Sequence, residues 1–141
     1  MSYTPLPPQV SQWIKITKSY TDFAASALTN TVTLYTPTNQ QEVIEAVSYY
    51  TPTGFSGGGI ATYLMKVQWG TSGTNIIGNT NMLTPAVLSS GFMGSVSTQT
   101  QGNPDGAGRI LTAVLTSTGA NLDQATQGTV DFWIKVSYIQ P

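Results

Sequence analysis

The stretch Gly128-Thr129-Val130-Asp131-Phe132-Trp133-Ile134-Lys135-Val136-Ser137-Tyr138-Ile139 decides the fold class. Val130, Phe132, Ile134 and Val136 take every second position, with Asp131, Trp133, Lys135 and Ser137 between them. Successive side chains of a β-strand point to opposite faces, so this period of two predicts a strand with one buried face and one face towards solvent. A helix would spread the same four apolar groups around its circumference.

Further runs of the same kind lie upstream. Residues 109–116 (RILTAVLT) set Leu111, Ala113 and Leu115 against Ile110, Thr112 and Val114. Residues 60–69 (IATYLMKVQW) form the most apolar run, which predicts an interior strand covered on both faces over part of its length. Residues 28–35 (LTNTVTLY) place Leu28, Val32 and Leu34 on one face and threonines on the other, and runs at 13–17 and 42–50 complete the set. Between them, residues 70–104 are punctuated by Gly70, Gly73, Gly78, Pro85, Gly91, Gly94 and Gly102, which predicts one or two short strands near 74–77 and 92–98. A helical turn is suggested only at 39–47, where Glu42 and Glu45 follow Thr and Asn; Val43-Ile44 and Tyr49-Tyr50 favour strand there. Seven or eight short strands and no helix predict an all-β chain, an antiparallel β-sandwich of jelly-roll or Greek-key type.

A chain of 141 residues suits one domain with a core that needs neither disulfide nor metal. Residues 13–141 are read as that single β-sandwich domain. Residues 1–12 carry Pro5, Pro7 and Pro8, and three prolines in four positions favour an extended N-terminal arm over helix or sheet. No internal repeat at solenoid or propeller spacing is present.

Charge is the scarcest resource of the chain. It has five Lys and Arg, six Asp and Glu, no His and no Cys, so charged residues make up 8% against a usual quarter. Imidazoles and thiolates carry most proton and electron transfer near neutral pH and hold most transition metals, so the composition points away from an enzyme and implies no cofactor and no metal. Lys15, Lys18, Lys66, Arg109 and Lys135 are scattered and the net charge is −1, which gives no basic field for nucleic acid. No apolar run approaches the roughly 18 residues that span a bilayer, and the first residues lack the basic and apolar regions of a secretory signal. The expectation is a chain made and kept soluble in the cytoplasm where it is synthesised, with a surface that tolerates being covered by identical neighbours.

The six carboxylates are Asp22, Glu42, Glu45, Asp105, Asp123 and Asp131. A glycosidase needs two of them facing one another at about 5 to 10 Å. Glu42 and Glu45 point to opposite faces of one strand, Asp123 meets Asp131 only if a loop folds back, and Lys135 is the expected partner of Asp131 on the same strand face. Gln101 to Gly108 (QGNPDGAG) offers Asn103 and Asp105 as oxygen ligands but lacks the further carboxylate of a calcium loop; Asn-Pro-Asp-Gly is first a turn. Thr53 to Gly59 (TGFSGGG) lacks the lysine and the following helix of a phosphate loop, and reads as a flexible connection. Trp13, Trp69 and Trp133 are candidates for stacking on sugar rings, against the alternative that they fill the core or a subunit interface.

Two stretches carry a resemblance: Thr116-Ser117-Thr118-Gly119-Ala120-Asn121-Leu122 followed by Gly128 to Val136, and Trp13-Ile14-Lys15-Ile16-Thr17 through Phe23 to the strand ending near Leu34. Together they resemble small β-sandwich, jelly-roll virion proteins of tailed bacteriophages, a group of capsid decoration (cement) proteins, head fibres and tail-fibre modules. The resemblance implies a homotrimer on the outer surface of the virion, bound to the major capsid protein or another virion protein and stabilising the shell. Tyr3, Pro5, Leu6, Pro7 and Pro8 of the arm are then the expected capsid or subunit contact. The alternative that the resemblance leaves open is a receptor-binding or adhesive module that recognises host-surface glycans, which predicts a concave aromatic patch. A hydrolase working through carboxylates only is the third reading.

Overall fold

The structure, a computed structural model, describes residues 10–37, 42–70, 75–83, 88–92 and 110–138. Among these residues eight strands form two four-stranded antiparallel sheets. They are β1 (Val10–Ser19), β2 (Thr29–Tyr35), β3 (Glu42–Ser56), β4 (Thr62–Trp69), β5 (Asn75–Asn81), β6 (Leu88–Phe92), β7 (Leu111–Thr118) and β8 (Gln127–Tyr138). One sheet has the order β1-β8-β3-β6 and the other β2-β7-β4-β5. The chain behaves as one long hairpin rolled up: β4 lies beside β5, β3 beside β6, β2 beside β7 and β1 beside β8. Pairing of β3 with β8 and of β4 with β7 closes the roll into a jelly roll. The expected sandwich is therefore observed, and of the two topologies it is the jelly roll.

The core lies between the sheets. Val130, Phe132, Ile134 and Val136 of β8 are all fully buried, and each such side chain contributes roughly 1.5–3 kcal/mol relative to exposure. They meet Ile44, Val47 and Tyr49 of β3 and, from the second sheet, Tyr63, Met65, Val67, Leu111, Ala113 and Leu115. β4 is interior to its sheet, and Val67, Gln68 and Trp69 are buried in succession, as its apolar run predicted. An aromatic group closes one end of the core: Phe55 stacks on Tyr63 at 4.8 Å between ring centroids and meets Phe23 at 6.0 Å. Gly128 backs onto the Phe55 ring with φ +140°, a conformation that L side chains rarely adopt.

Several boundaries differ from those read on the sequence, each for a physical reason. β1 opens at Val10, so residues 10–12 extend the sheet instead of belonging to the arm; their pairing with β8 supplies what local periodicity did not. Leu28 precedes β2 and is exposed, while Leu34 is buried. β3 continues past Pro52 to Ser56, because two register shifts flanking Thr53 absorb the missing proline N–H. Half of the supposed flexible connection at 53–59 is thus strand, and the rest is tied down: Ile60 N donates to Gly57 O and Thr126 N to Ser56 O. The short strands of the middle region fall at 75–81 and 88–92, the second ending where it was expected to begin.

The strand reading of the 42–50 run holds, and two short helical turns appear where none was expected. Residues 42–47 are strand, whereas Tyr20–Phe23 (α1) forms one helical turn and Leu122–Gln124 one 3-10 turn. At α1, the backbone N–H of Ser19 donates to the Asp22 carboxylate at 2.7 Å, and the turn delivers Phe23 into the core.

Candidate functional site

The register of the first sheet builds one outer face from three strands. Trp13, Lys15 and Thr17 of β1 lie opposite Lys135, Trp133 and Asp131 of β8, which in turn lie opposite Ala46, Ser48 and Tyr50 of β3. The alternation that sends Phe132 and Ile134 inward sends these β8 residues outward. Trp13 and Trp133 are diagonal neighbours across the β1–β8 ladder, within reach of each other's rings.

Large aromatics stay in contact with solvent here. Trp13 is 54% exposed, and Trp133 and Tyr50 are each 40% exposed. Trp13, Ser48 and Trp133 line an open groove of about 330 Å³. Strands lie about 4.8 Å apart, so a groove reaching from β1 to β3 spans roughly 10 Å.

Charged groups frame the aromatics in two closed pairs. Lys15 Nζ lies 3.7 Å from Asp131 Oδ2 and 5.5 Å from the centre of the Trp133 ring, and Thr17 Oγ1 donates to Asp131 Oδ1 at 2.7 Å. Lys135 Nζ lies 3.3 Å from Glu45 Oε2. Glu45 reaches it because the β3 ladder shifts between Ile44 and Ala46, so the extra residue sits on a bulge and aims outward. Two cations and two carboxylates cancel, leaving a face with polar groups and no net charge. The expected Asp131–Lys135 pair along one strand is replaced by pairs across strands, because cross-strand neighbours lie closer than residues four apart on a strand.

The remaining candidates separate. Trp69 is buried in the core, so only two of the three tryptophans share the face. Glu42 is buried and accepts a 2.6 Å hydrogen bond from Tyr35 Oη, on the opposite side of β3 from Glu45, as read from the sequence. Asp123 accepts from Ser26 Oγ at 2.8 Å and from Gln124 Nε2 at 3.1 Å beside the 3-10 turn; these bonds, with Ser26 the largest contributor, hold its carboxyl below the usual range. Asp123 and Asp131 thus have separate partners. Among the described residues no group of three or more acidic side chains is placed to hold a metal ion, and no helix is long and apolar enough to cross a membrane. Tyr3, Pro5, Leu6, Pro7, Pro8, Asn103 and Asp105 lie outside the described residues.

The pairing of Trp13 with Trp133 was not legible beforehand, since 120 residues separate them and only the β1–β8 register joins them. The outward position of Trp133 was legible from the β8 alternation.

The second sheet presents a different outer face. Thr29, Thr31 and Thr33 of β2 and Thr116 and Thr118 of β7 are exposed, and Thr62 of β4 meets Thr118 through a 2.7 Å hydroxyl contact. Lys66 is the charged side chain that β2, β4 and β7 place on that face.

No protein-family model matches the chain, and no curated protein does. Among solved structures, a chain of the virus-like particle of the extra small virus (XSV) of the giant freshwater prawn Macrobrachium rosenbergii, seen by cryo-EM, is similar at 15% identity and a TM-score of 0.39. The match covers 100% of this chain and 88% of that one. A likeness of that size fixes neither mechanism nor partner.

Proposed function

We propose that this chain is a structural, non-enzymatic subunit of a virus particle, and more narrowly a bacteriophage capsid-decoration protein that sits on the outer shell as a homotrimer. The strand order β1-β8-β3-β6 and β2-β7-β4-β5 carries the reading, because the jelly roll is a recurrent building block of particle coats. A fold hosts many functions, so the surface must agree with it. It does so through the threonine face: short, β-branched, uncharged side chains lose little rotamer freedom and shed little ionic hydration when a neighbour covers them. Closed cyclic symmetry would let each copy bury such a patch once.

Light scattering tests the trimer, which has a mass of about 45 kDa, three times the 15.0 kDa of the chain. Co-sedimentation with undecorated phage shells tests the capsid contact, with saturable binding expected. Deleting residues 1–8 is expected to abolish that binding while the far-ultraviolet spectrum stays that of the full chain. A protein that stays monomeric and ignores the shells refutes the decoration role; undiminished binding of the deleted form removes the contact from Tyr3, Pro5, Leu6, Pro7 and Pro8.

A further inference from the structure

We infer that the Trp13–Ser48–Trp133 groove is a binding site for a neutral pyranose unit of an oligosaccharide. The inference stands apart from the virion reading, since it rests on the opposite sheet.

The first ground is the pairing of apolar faces with polar edges. A pyranose has a face of C–H bonds and a rim of hydroxyls, and an exposed indole offers the complementary flat apolar surface. Two tryptophans left 54% and 40% exposed on a chain able to bury Trp69 mark a surface whose apolar area is completed by something else. The second is shape: the groove is shallow and open, with about 330 Å³ above Trp13, Ser48 and Trp133, which suits a single sugar ring laid flat on the indoles rather than an enclosed ligand. A lasting protein contact needs about 800 Å² and 20–30 residues from each partner, far more than a groove lined by three side chains.

The third ground is charge. Lys15 lies 3.7 Å from Asp131 and Lys135 3.3 Å from Glu45, which places ammonium donors and carboxylate acceptors in opposite-charge pairs on the face bearing the groove. Hydroxyls can hydrogen-bond to such preorganised groups without a net charge having to be matched. An anionic sugar would meet two carboxylates together with the two ammonium groups, so the cancelled field favours a neutral ligand.

The test uses the full chain. Tryptophan fluorescence is titrated with neutral tetrasaccharides (maltotetraose, cellotetraose and chitotetraose) and with anionic tetragalacturonate, and an array of neutral and acidic glycans widens the search. We expect saturable binding of a neutral glycan, weakened about tenfold or more by Trp13→Ala and by Trp133→Ala, with both variants still folding cooperatively; Trp133→Ala also loses the Lys15 ring contact, and its unfolding midpoint falls with it. A Trp133→Phe variant, which keeps an aromatic face, should retain more affinity than Trp133→Ala. Absence of saturation by every neutral glycan up to about 10 mM overturns the proposal. Binding that ignores both alanine variants, or that prefers tetragalacturonate, overturns it as well. Concentration-dependent self-association lost in Trp13→Ala would assign the groove to a second copy of the chain instead.

Discussion

Replacing Gly128 with alanine should be among the most damaging single-methyl changes this chain can suffer. A Cβ built there lies 2.8 Å from Cε1 of Phe55 and closer still to two other ring atoms. The ring has no retreat, because Phe55 is fully buried, stacked on Tyr63 at 4.8 Å and flanked by Phe23. Forcing an extra methyl into a filled core costs about 1–3 kcal/mol. Holding a non-glycine residue at φ +140° adds about 1–3 kcal/mol, so the expected loss is roughly 2–6 kcal/mol. Gly59 separates the two contributions: its φ is +83° but no atom lies within 4 Å of the added Cβ, so Gly59→Ala should lose only the backbone share, about 1 kcal/mol. Gly78 has the same open space without the unusual φ, and Gly78→Ala should stay within about 0.5 kcal/mol of the parent. Urea unfolding of the three variants, followed by far-ultraviolet circular dichroism at constant m-value, ranks them. If Gly128→Ala lost no more than Gly59→Ala, the ring would have yielded, and the account of a rigid aromatic end to the core would be refuted.

Other outcomes follow from single groups. The Tyr63 hydroxyl is buried without a hydrogen-bond partner among the described residues, and burial pushes its phenol above the usual range. Tyr63→Phe should therefore be neutral or stabilising in urea unfolding; a loss above about 1 kcal/mol would mean that the hydroxyl is satisfied. The Asp123 carboxyl is held low by Ser26 and Gln124, so its folded-state benefit is present above the ordinary carboxylate pKa and disappears as pH falls through the lowered one. Ser26→Ala should move its midpoint upward in an NMR titration, and an unmoved midpoint would deny the Ser26 bond its role. Lys135→Met removes a partly exposed ion pair with Glu45 and should cost below about 1 kcal/mol, a figure checked by a double-mutant cycle with Glu45→Gln.

The strands with alternating or unbroken apolar runs were readable from the chain itself. Val130, Phe132, Ile134 and Val136 repeat every two residues and are all fully buried, and the apolar 60–69 run became an interior strand. The 42–50 run was read too short, because a pair of register shifts, which no local pattern announces, carries β3 past Pro52 to Ser56. The turn at Tyr20–Phe23 is too short for any periodicity; its signal was Ser19 three residues ahead of Asp22, a spacing that also occurs without a helix. The groove was half legible: alternation put Trp133 outside, but joining it to Trp13 and Ser48 required the order β1-β8-β3, which no local pattern encodes.

The β1–β8 ladder has a mechanical consequence. Its ten register pairs run without a bulge from Val10↔Tyr138 to Ser19↔Thr129, so Val10 and Tyr138 face each other across the first rung. Tension applied between those two residues acts across the strands and loads one rung at a time, as on a zipper pulled by its tabs. Tension between Val10 and Thr129 runs along the strands and loads all the rungs in parallel. The same sheet is therefore soft to one pull and stiff to the other. A subunit tethered at Val10 and gripped near Tyr138 would peel at its rim, while β3 still holds the inner edge of β8.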